Sequence, residues 1–233
     1  MNLNTGFGKL VEDPALQMFE RFDKLARSSK TTDITYHRHY SKLSQMQAEA
    51  FARYGVYVPS KESLDFIASV DRPIVEIGSG NGYLANKLSQ RGLDVVAVEP
   101  YPTAQSKEWL SNWNKLSSAS NDISFELYYP TVRMSAEEYF AKQDWCRGKA
   151  LLLMNHNLNN WVETSDWDLL KSDAIIVSFS SESYHEKFRA LVSKSHTWTL
   201  KSSIEIPKYY AFTPNRFQKL EIWTKRQDIQ NEL

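Results

Sequence analysis

The spacing of hydrophobic residues along this chain changes near residue 74. Before that point apolar residues recur at helical intervals, first after Asp13-Pro14, a pair typical of a helix start, and then between Tyr40 and Tyr54. Pro59-Ser60 begins a third pattern of the same kind. We therefore expect residues 1–70 to form a helical cap that belongs to the same domain as the rest of the chain.

Short, continuous apolar runs alternate with helical patterns over the following hundred or so residues. Continuous runs are typical of strands buried on both faces, which indicates a parallel sheet covered by helices. The predicted strands are Ile74–Ile77, Val95–Val98, Ile123–Leu127, Ala150–Met154 and Ala174–Val177. The predicted helices are Leu84–Gln90, Ser106–Leu116, Ala136–Lys142, Trp161–Leu170 and Ser183–Ser193.

The end of the chain alternates apolar and polar residues. Trp198, Leu200, Ile204 and Ile206 fall on even positions, and Leu220–Trp223 forms a second strand-like run. Only a loop separates the two runs, which leaves no room for a crossover helix, so we expect antiparallel neighbours. The predicted fold is α/β: a seven-stranded, mostly parallel, Rossmann-like sheet with a C-terminal antiparallel hairpin and an N-terminal helical cap.

Length and charge restrict the number of domains and the class of partner. The 233 residues suit one α/β domain, and 28 basic residues balance 28 acidic ones. Proteins that hold nucleic acid through its phosphates usually carry a basic excess, so we do not expect a nucleic-acid partner. The single cysteine, Cys146, excludes an intrachain disulfide and favours the cytoplasm. We expect no membrane span and no signal peptide, and the sequence indicates no oligomeric state.

A glycine-rich turn joins the first predicted strand of the sheet to the first helix that follows it. Glu76 is followed by Gly78, Gly80 and Gly82, and glycines in such a turn let a ligand lie against bare backbone. The third glycine comes one residue earlier than in the dinucleotide fingerprint G-x-G-x-x-G. A carboxylate at position 76 would repel a pyrophosphate but suits a cationic ligand. Glu99, which closes the second strand, is placed to accept ribose hydroxyls.

The segment PIVEIGSGNGYLANKLSQRGLDVVAVEP resembles the first motif of class I S-adenosylmethionine-dependent methyltransferases. That motif has the form [DE]-x-G-x-G-x-G and is followed by an acidic residue that closes strand two. In order of elements the resemblance covers roughly residues 73–226. It implies the strand order 3-2-1-4-5-7-6, S-adenosyl-L-methionine as cofactor, and residues 71–233 as the methyltransferase domain.

The resemblance also implies which residues hold the cofactor. The glycines would pack against its methionyl part, Glu76 would lie near its ammonium group and Glu99 would hold the ribose. Tyr101, Met134 or Ser135 would lie against the adenine, although a plain core role is the alternative for Met134. The predicted set is Glu76, Gly78, Ser79, Gly80, Gly82, Glu99, Pro100, Tyr101, Met134 and Ser135.

Candidate catalytic residues follow the fourth predicted strand, where the family's fourth motif faces the methyl group. The segment reads MNHNLNNW and lacks the [DNS]-P-P-[YFW] pattern of enzymes that methylate exocyclic amines of bases. Methyl transfer requires alignment of the acceptor and, for some acceptors, removal of a proton. Asn155, His156 and Asn157 are candidates to orient a polar acceptor, with His156 as a possible base. The alternative is that they cap a helix.

Three functions remain open on the sequence. The leading hypothesis is an enzyme that methylates a small molecule or a protein side chain. A non-catalytic S-adenosylmethionine-binding regulator is the second, motivated by the weak fourth motif. An RNA methyltransferase is the third, and it gains only from local basic residues; in the C-terminal hairpin these are Arg216, Lys219, Lys225 and Arg226. The segment Tyr36–Tyr40 is either a contact to the cofactor carboxylate or an acidic substrate group, or a solvated helix start.

Overall fold

The computed structural model describes residues 59–100, 127–142, 144, 146–156, 170–179, 182–205 and 219–226, together with Gln17 and Tyr54; for residues 155, 156 and 179 it describes the backbone alone. The helices are α1 (Lys61–Ala68), α2 (Tyr83–Ser89), α3 (Ala136–Ala141) and α4 (Glu182–Lys194). The strands are β1 (Ile74–Ile77), β2 (Val95–Val98), β3 (Thr131–Val132), β4 (Ala150–His156), β5 (Ala174–Phe179), β6 (Trp198–Glu205) and β7 (Lys219–Lys225).

Helix α1 begins where the sequence predicts it. The hydroxyl of Ser60 accepts a hydrogen bond from the backbone N–H of Ser63 over 3.1 Å, which satisfies one of the unpaired donors of the first turn. Leu64 and Ile67 then face the core. The two helices predicted earlier in the chain lie outside the described residues, apart from Gln17 and Tyr54, which are both helical.

The centre of the sheet is β1, whose four residues are all buried. It pairs in parallel with β2 on one side and β4 on the other, so that Ile74 lies opposite both Val95 and Ala150. The full strand order is β3-β2-β1-β4-β5-β7-β6. This is the order implied by the resemblance, and continuous apolar runs form the central strands because helices cover both faces.

The last two strands form the predicted antiparallel pair. β7 runs antiparallel to both β5 and β6, with Thr224 opposite Ala174 on one side and Thr199 on the other. The alternation expected along β6 is interrupted, because the pairing is irregular between Leu200 and Ser202 and Leu200 is 40% exposed. The α/β fold with seven strands and a C-terminal hairpin is confirmed.

The strand beside β2 differs from the prediction. Thr131–Val132 pairs with Ala97–Val98, whereas Leu127 is 54% exposed and belongs to no strand. Residues 123–126 lie outside the described residues. The backbone N–H of Tyr128 donates to Asn81 over 2.9 Å, which ties residue 128 to the glycine loop. Within residues 127–142, the chain therefore pairs with β2 only after Pro130.

Two apolar layers cover the sheet. Ile74, Leu84 and Leu88 belong to the layer that includes α1 and α2, while Val75 and Phe188 belong to the layer that includes α3 and α4. Each fully buried side chain of this size contributes roughly 1.5–3 kcal/mol. None of the helices in the described ranges is long and apolar enough to cross a membrane. The loops after β1, β2, β3 and β4 all emerge at the carboxyl edge of the sheet, where parallel α/β sheets bind ligands.

Candidate functional site

The glycine loop follows β1 at the carboxyl edge. Gly78, Gly80 and Gly82 have φ values of 73°, 56° and 75°, all in the left-handed region that glycine adopts without strain. The backbone N–H groups of Gly78 and Ser79 donate to the carbonyl of Val98 over 2.8 and 3.1 Å. The loop is therefore anchored to the end of β2, and the backbone at Gly78 and Gly80 stays accessible.

Gly82 and Gly80 lack side chains for different reasons, the first because of a close neighbour and the second because of the space beside it. A Cβ at Gly82 would lie 2.8 Å from the Cβ of Tyr129, so a side chain is excluded on both steric and conformational grounds. A Cβ at Gly80 would meet no atom of the described residues within 4 Å. In the part of the chain that the structure describes, the space above Gly80 is thus open, as a site that receives a ligand against bare backbone requires.

Two carboxylates flank the loop from neighbouring strands. Glu99 is 3% exposed, and its Oε2 accepts a hydrogen bond from the backbone N–H of Gly80 over 3.2 Å. Glu76 is 4% exposed. Burial raises the pKa of Glu76 to about 8; a hydrogen bond from the backbone of Ala85 opposes this rise, and the charge of Glu99 adds to it.

Buried polar atoms in the loop fit a polar, cationic ligand. Oε2 of Glu76 and Oγ of Ser79 are buried without a hydrogen-bond partner among the described residues, and such atoms are rare in folded proteins because each costs free energy. A carboxylate accepts several hydrogen bonds, so Glu99 can hold both the Gly80 amide and a hydroxyl. An ammonium group near Glu76 and a ribose near Glu99 would match this donor and acceptor pattern.

The residues predicted to lie near the adenine occupy the neighbouring loops. Pro100 is half-buried directly after Glu99, and the backbone N–H of Glu99 donates to Val132 at the end of β3 over 3.0 Å. Met134 is half-buried and packs against the core layer of α3 and α4. The hydroxyl of Ser135 caps α3, because it accepts a hydrogen bond from the backbone N–H of Glu138 over 3.1 Å. Tyr101 lies outside the described residues.

The candidate catalytic residues sit at the end of β4. Asn155 and His156 are its last two residues, and the β4–β5 pairing shifts between Met154 and His156. Their backbone is at the carboxyl edge, one strand away from the glycine loop. Their side chains, and all of Asn157, lie outside the described residues.

Asn81 and a group of tyrosines also shape the loop, and the sequence prediction missed them. Asn81 is 3% exposed, and its Oδ1 accepts from the backbone N–H of Tyr83, the first residue of α2, over 3.2 Å. The ring of Tyr83 lies 5.1 Å from that of Tyr54 and 5.0 Å from that of Tyr128. An asparagine two residues before a helix start is a recognisable turn signal, whereas the tyrosine contacts join distant parts of the chain and leave no local pattern. Among the described residues no three His, Cys, Asp or Glu side chains group as a metal site.

Comparison with known proteins gives fold-level similarities. No protein-family model and no curated protein matches the chain. An rRNA methylase from Streptococcus thermophilus is 16% identical with a TM-score of 0.45, covering 74% of this chain and 99% of that one. TrmK of M. capricolum, in complex with S-adenosyl-homocysteine, is 16% identical with a TM-score of 0.46 (76% and 74%). Precorrin-6y C5,15-methyltransferase from Geobacter metallireducens is 12% identical with a TM-score of 0.47 (72% and 90%).

These similarities concern the fold. All three proteins are named as methyltransferases or carry the cofactor product. The strand order observed in this chain is the one that the resemblance to class I methyltransferases implied. The exclusion of a nucleic-acid partner is contradicted, because one similar protein is an rRNA methylase by name. Net charge fails as a criterion here because a chain with balanced totals can still concentrate cations on one surface.

Proposed function

We propose that this chain binds S-adenosyl-L-methionine at the glycine loop and is a methyltransferase. The observation that carries the proposal is the convergence of Glu76 and Glu99 on a loop that is open at Gly80. A pyrophosphate would be repelled by two buried carboxyl groups, whereas a ligand with an ammonium group and a ribose would be held by them. We assign residues 71–233 to this domain and residues 1–70 to its cap.

Each residue of the loop has a distinct part in this proposal. Glu76 pairs with the ammonium group, Glu99 accepts from the ribose, and Ser79 offers a buried hydroxyl. S-adenosylmethionine, when bound, supplies a methyl group that its sulfonium already activates. The protein's remaining task is to align an acceptor and exclude water. We keep Asn155, His156 and Asn157 as the candidates for aligning the acceptor, because β4 ends beside β1.

RNA is the acceptor class that we propose to test first. The rRNA methylase among the similar proteins prompts this choice, and it replaces a small molecule or protein as the leading candidate. The precorrin methyltransferase among them makes a small-molecule acceptor the necessary comparison in the same experiment.

A transfer assay with methyl-labelled S-adenosylmethionine tests both parts of the proposal. The protein is incubated with the RNA, protein and small-molecule fractions of a cell extract, beside Glu99→Ala and the control Glu137→Ala, which alters an exposed carboxylate on α3. We expect label in RNA with the parent and the control, and at least a tenfold loss with Glu99→Ala, since a hydrogen bond to a charged group contributes about 1.5–3 kcal/mol.

The outcomes separate the two parts. Label that accumulates only in protein or small molecules contradicts the RNA acceptor and leaves the methyltransferase assignment intact. Binding of the cofactor without label in any fraction contradicts transfer and favours a non-catalytic regulator. Equal transfer by the parent and Glu99→Ala contradicts the proposed position of the cofactor.

A further inference from the structure

A second concave surface lies at the amino edge of the sheet, the edge opposite the glycine loop. This groove has a volume of about 1020 Å³. Its charged and ionisable lining residues are Arg72, Asp173, His196, Lys201, Lys225 and Arg226. The residues come from the segments that enter β1 and β5, from the start of β6 and from the end of β7. We call this surface the basic groove.

The charge of the basic groove differs from that of the whole chain. Four of its lining residues are Lys or Arg and one is Asp, whereas the chain as a whole has a net charge of zero. Asp173 forms a salt bridge within the groove, because its Oδ2 lies 2.8 Å from the Arg72 guanidinium. The cationic groups of Lys201, Lys225 and Arg226 therefore remain as a local positive excess.

Two of these cations are held in place by the sheet. Nε of Arg226 donates to the carbonyl of Trp198 over 3.2 Å, and its backbone N–H donates to Thr197 over 2.7 Å. Nζ of Lys225 lies 5.8 Å from the centroid of the Trp198 ring, and that ring is fully buried. Cations fixed on a rigid scaffold lose less entropy when they bind an anion than freely moving ones do.

The remaining lining suits phosphate as well. Thr199, Ser202 and Thr224 bring hydroxyl groups to the groove between the cations, and Ile222 and Ala174 contribute apolar surface. Lys and Arg side chains together with Ser and Thr hydroxyls make most protein contacts to the phosphates and sugars of nucleic acids. A single phosphate would need only one cation and one hydroxyl group. A groove that carries several of each fits a chain of phosphates.

We propose that the basic groove binds the phosphate backbone of the RNA acceptor and anchors it away from the methyl-transfer edge. This inference rests on the proposed RNA acceptor. β5 runs for six residues between the two edges, or roughly 20 Å, so the groove contacts a part of the RNA that does not react. Its loss should raise KM for RNA and leave kcat unchanged.

Fluorescence anisotropy with a labelled RNA hairpin tests this inference on the full chain. The variants are Lys201→Ala, whose exposed side chain lies on the edge strand, and the triple Lys201→Ala/Lys225→Ala/Arg226→Ala. The control is Lys187→Ala/Lys194→Ala, which removes two exposed cations of α4. Each protein is titrated from about 50 to 200 mM salt, the range over which phosphate contacts change affinity most visibly.

We expect Lys201→Ala to weaken binding several-fold and to lower the slope of log affinity against log salt by about 1. The triple variant should lower that slope by about 2–3, while the control stays at the parental value. Affinity for S-adenosylmethionine, measured by calorimetry on the same samples, should not change in any of them.

Three results would overturn the inference. These are RNA binding by the parent that the triple variant leaves intact, an equal loss in the control, and absence of salt-dependent RNA binding by the parent. None of them bears on the cofactor site, because the calorimetric measurement reports on the glycine loop independently. If the parent protein does not bind S-adenosylmethionine, that result would instead contradict the proposed function.

Discussion

Gly82 is constrained by both its backbone conformation and a close neighbour. Its φ of 75° disfavours any side chain, and a Cβ would also collide with Tyr129. Gly92 offers a matched control, because its φ of 83° is similar but a Cβ there would meet no described residue within 4 Å. We expect Gly92→Ala to cost about 1–2 kcal/mol and Gly82→Ala to cost about 1–3 kcal/mol more.

Urea unfolding of the two variants measures this difference. A common slope with separate midpoints would assign the extra loss to the contact with Tyr129. Equal midpoints would mean that conformational strain alone explains why residue 82 is glycine.

Glu76 gives the cofactor site a characteristic pH dependence. Burial raises its pKa to about 8, so the carboxyl group is largely protonated at neutral pH, while a cationic ligand favours the ionised form. Binding should therefore release a proton, and affinity should rise as the pH increases from 6 to 7.5, by at most about tenfold per pH unit. Glu76→Gln should flatten this rise.

Calorimetry in buffers of different ionisation enthalpy measures the released proton. The control is Glu62→Gln, an exposed carboxylate in the first turn of α1. An affinity that falls over this pH range, or one that rises equally in Glu76→Gln, would place the ligand's cation elsewhere.

At the residue scale, the sequence could predict the positions of residues that belong to a short motif. Glu76 and Glu99 are 23 positions apart, yet parallel pairing of β1 and β2 brings both to one loop, as the spacing indicates. The contact between Gly82 and Tyr129 could not be predicted, because nothing local to either residue specifies it.

At the scale of elements, α4 is fastened to β7 by a buried polar cluster. Glu221 is fully buried and accepts hydrogen bonds from Nε of Arg189 over 2.8 Å and from Nε1 of Trp223 over 3.1 Å. Nε2 of His185 lies 2.8 Å from Oε2 of Glu221. Burial alone would raise the pKa of Glu221, but the hydrogen bonds from His185 and Arg189 outweigh it and lower this pKa to about 2.

This cluster should make folding stability depend on pH in the acid range. Because the pKa of Glu221 is lowered in the fold, its contribution is complete above about pH 4.5 and is lost as the pH falls toward 2. Glu221→Gln should destabilise the protein at pH 7 by about 3 kcal/mol, since His185 and Arg189 lose their buried partner, and by less at low pH. Thermal unfolding at several pH values measures both effects.

The control for this prediction is Glu205→Gln on the exposed end of β6. A destabilisation by Glu221→Gln that stays constant from pH 7 to pH 3, or one that Glu205→Gln matches, would show that the ionised carboxylate does not hold α4 to the sheet.

Strand prediction succeeded where burial is continuous and missed the short strand β3. The apolar runs of β1, β2, β4 and β5 are buried on both faces and could be recognised from their composition. β3 has two residues, both half-buried, and is placed by contacts to β2 and the glycine loop. No hydrophobic period marks such a strand, so the sequence indicated an earlier segment instead.

At the scale of the whole molecule, the sheet separates two surfaces of different chemistry. The carboxyl edge gathers the glycine loop with its two buried carboxyl groups, and the amino edge carries the basic groove. The order of elements and the lack of a crossover helix before the last strand were enough to predict a mostly parallel sheet that ends in an antiparallel hairpin, whereas the strand order was implied by the resemblance. The basic groove could not be predicted, because its cations come from segments that are far apart in the chain.

The central claim is that the glycine loop holds S-adenosylmethionine, and calorimetric titration of the parent, Gly80→Ala and Gly92→Ala tests it most directly. Both substitutions place a Cβ at a left-handed glycine with no atom of the described ranges within 4 Å, so both variants should fold with similar loss of stability. We expect S-adenosylmethionine and S-adenosylhomocysteine to bind the parent and Gly92→Ala at micromolar concentrations, and Gly80→Ala to bind at least tenfold more weakly. Absence of binding to the parent, or equal binding by all three proteins, would contradict the claim.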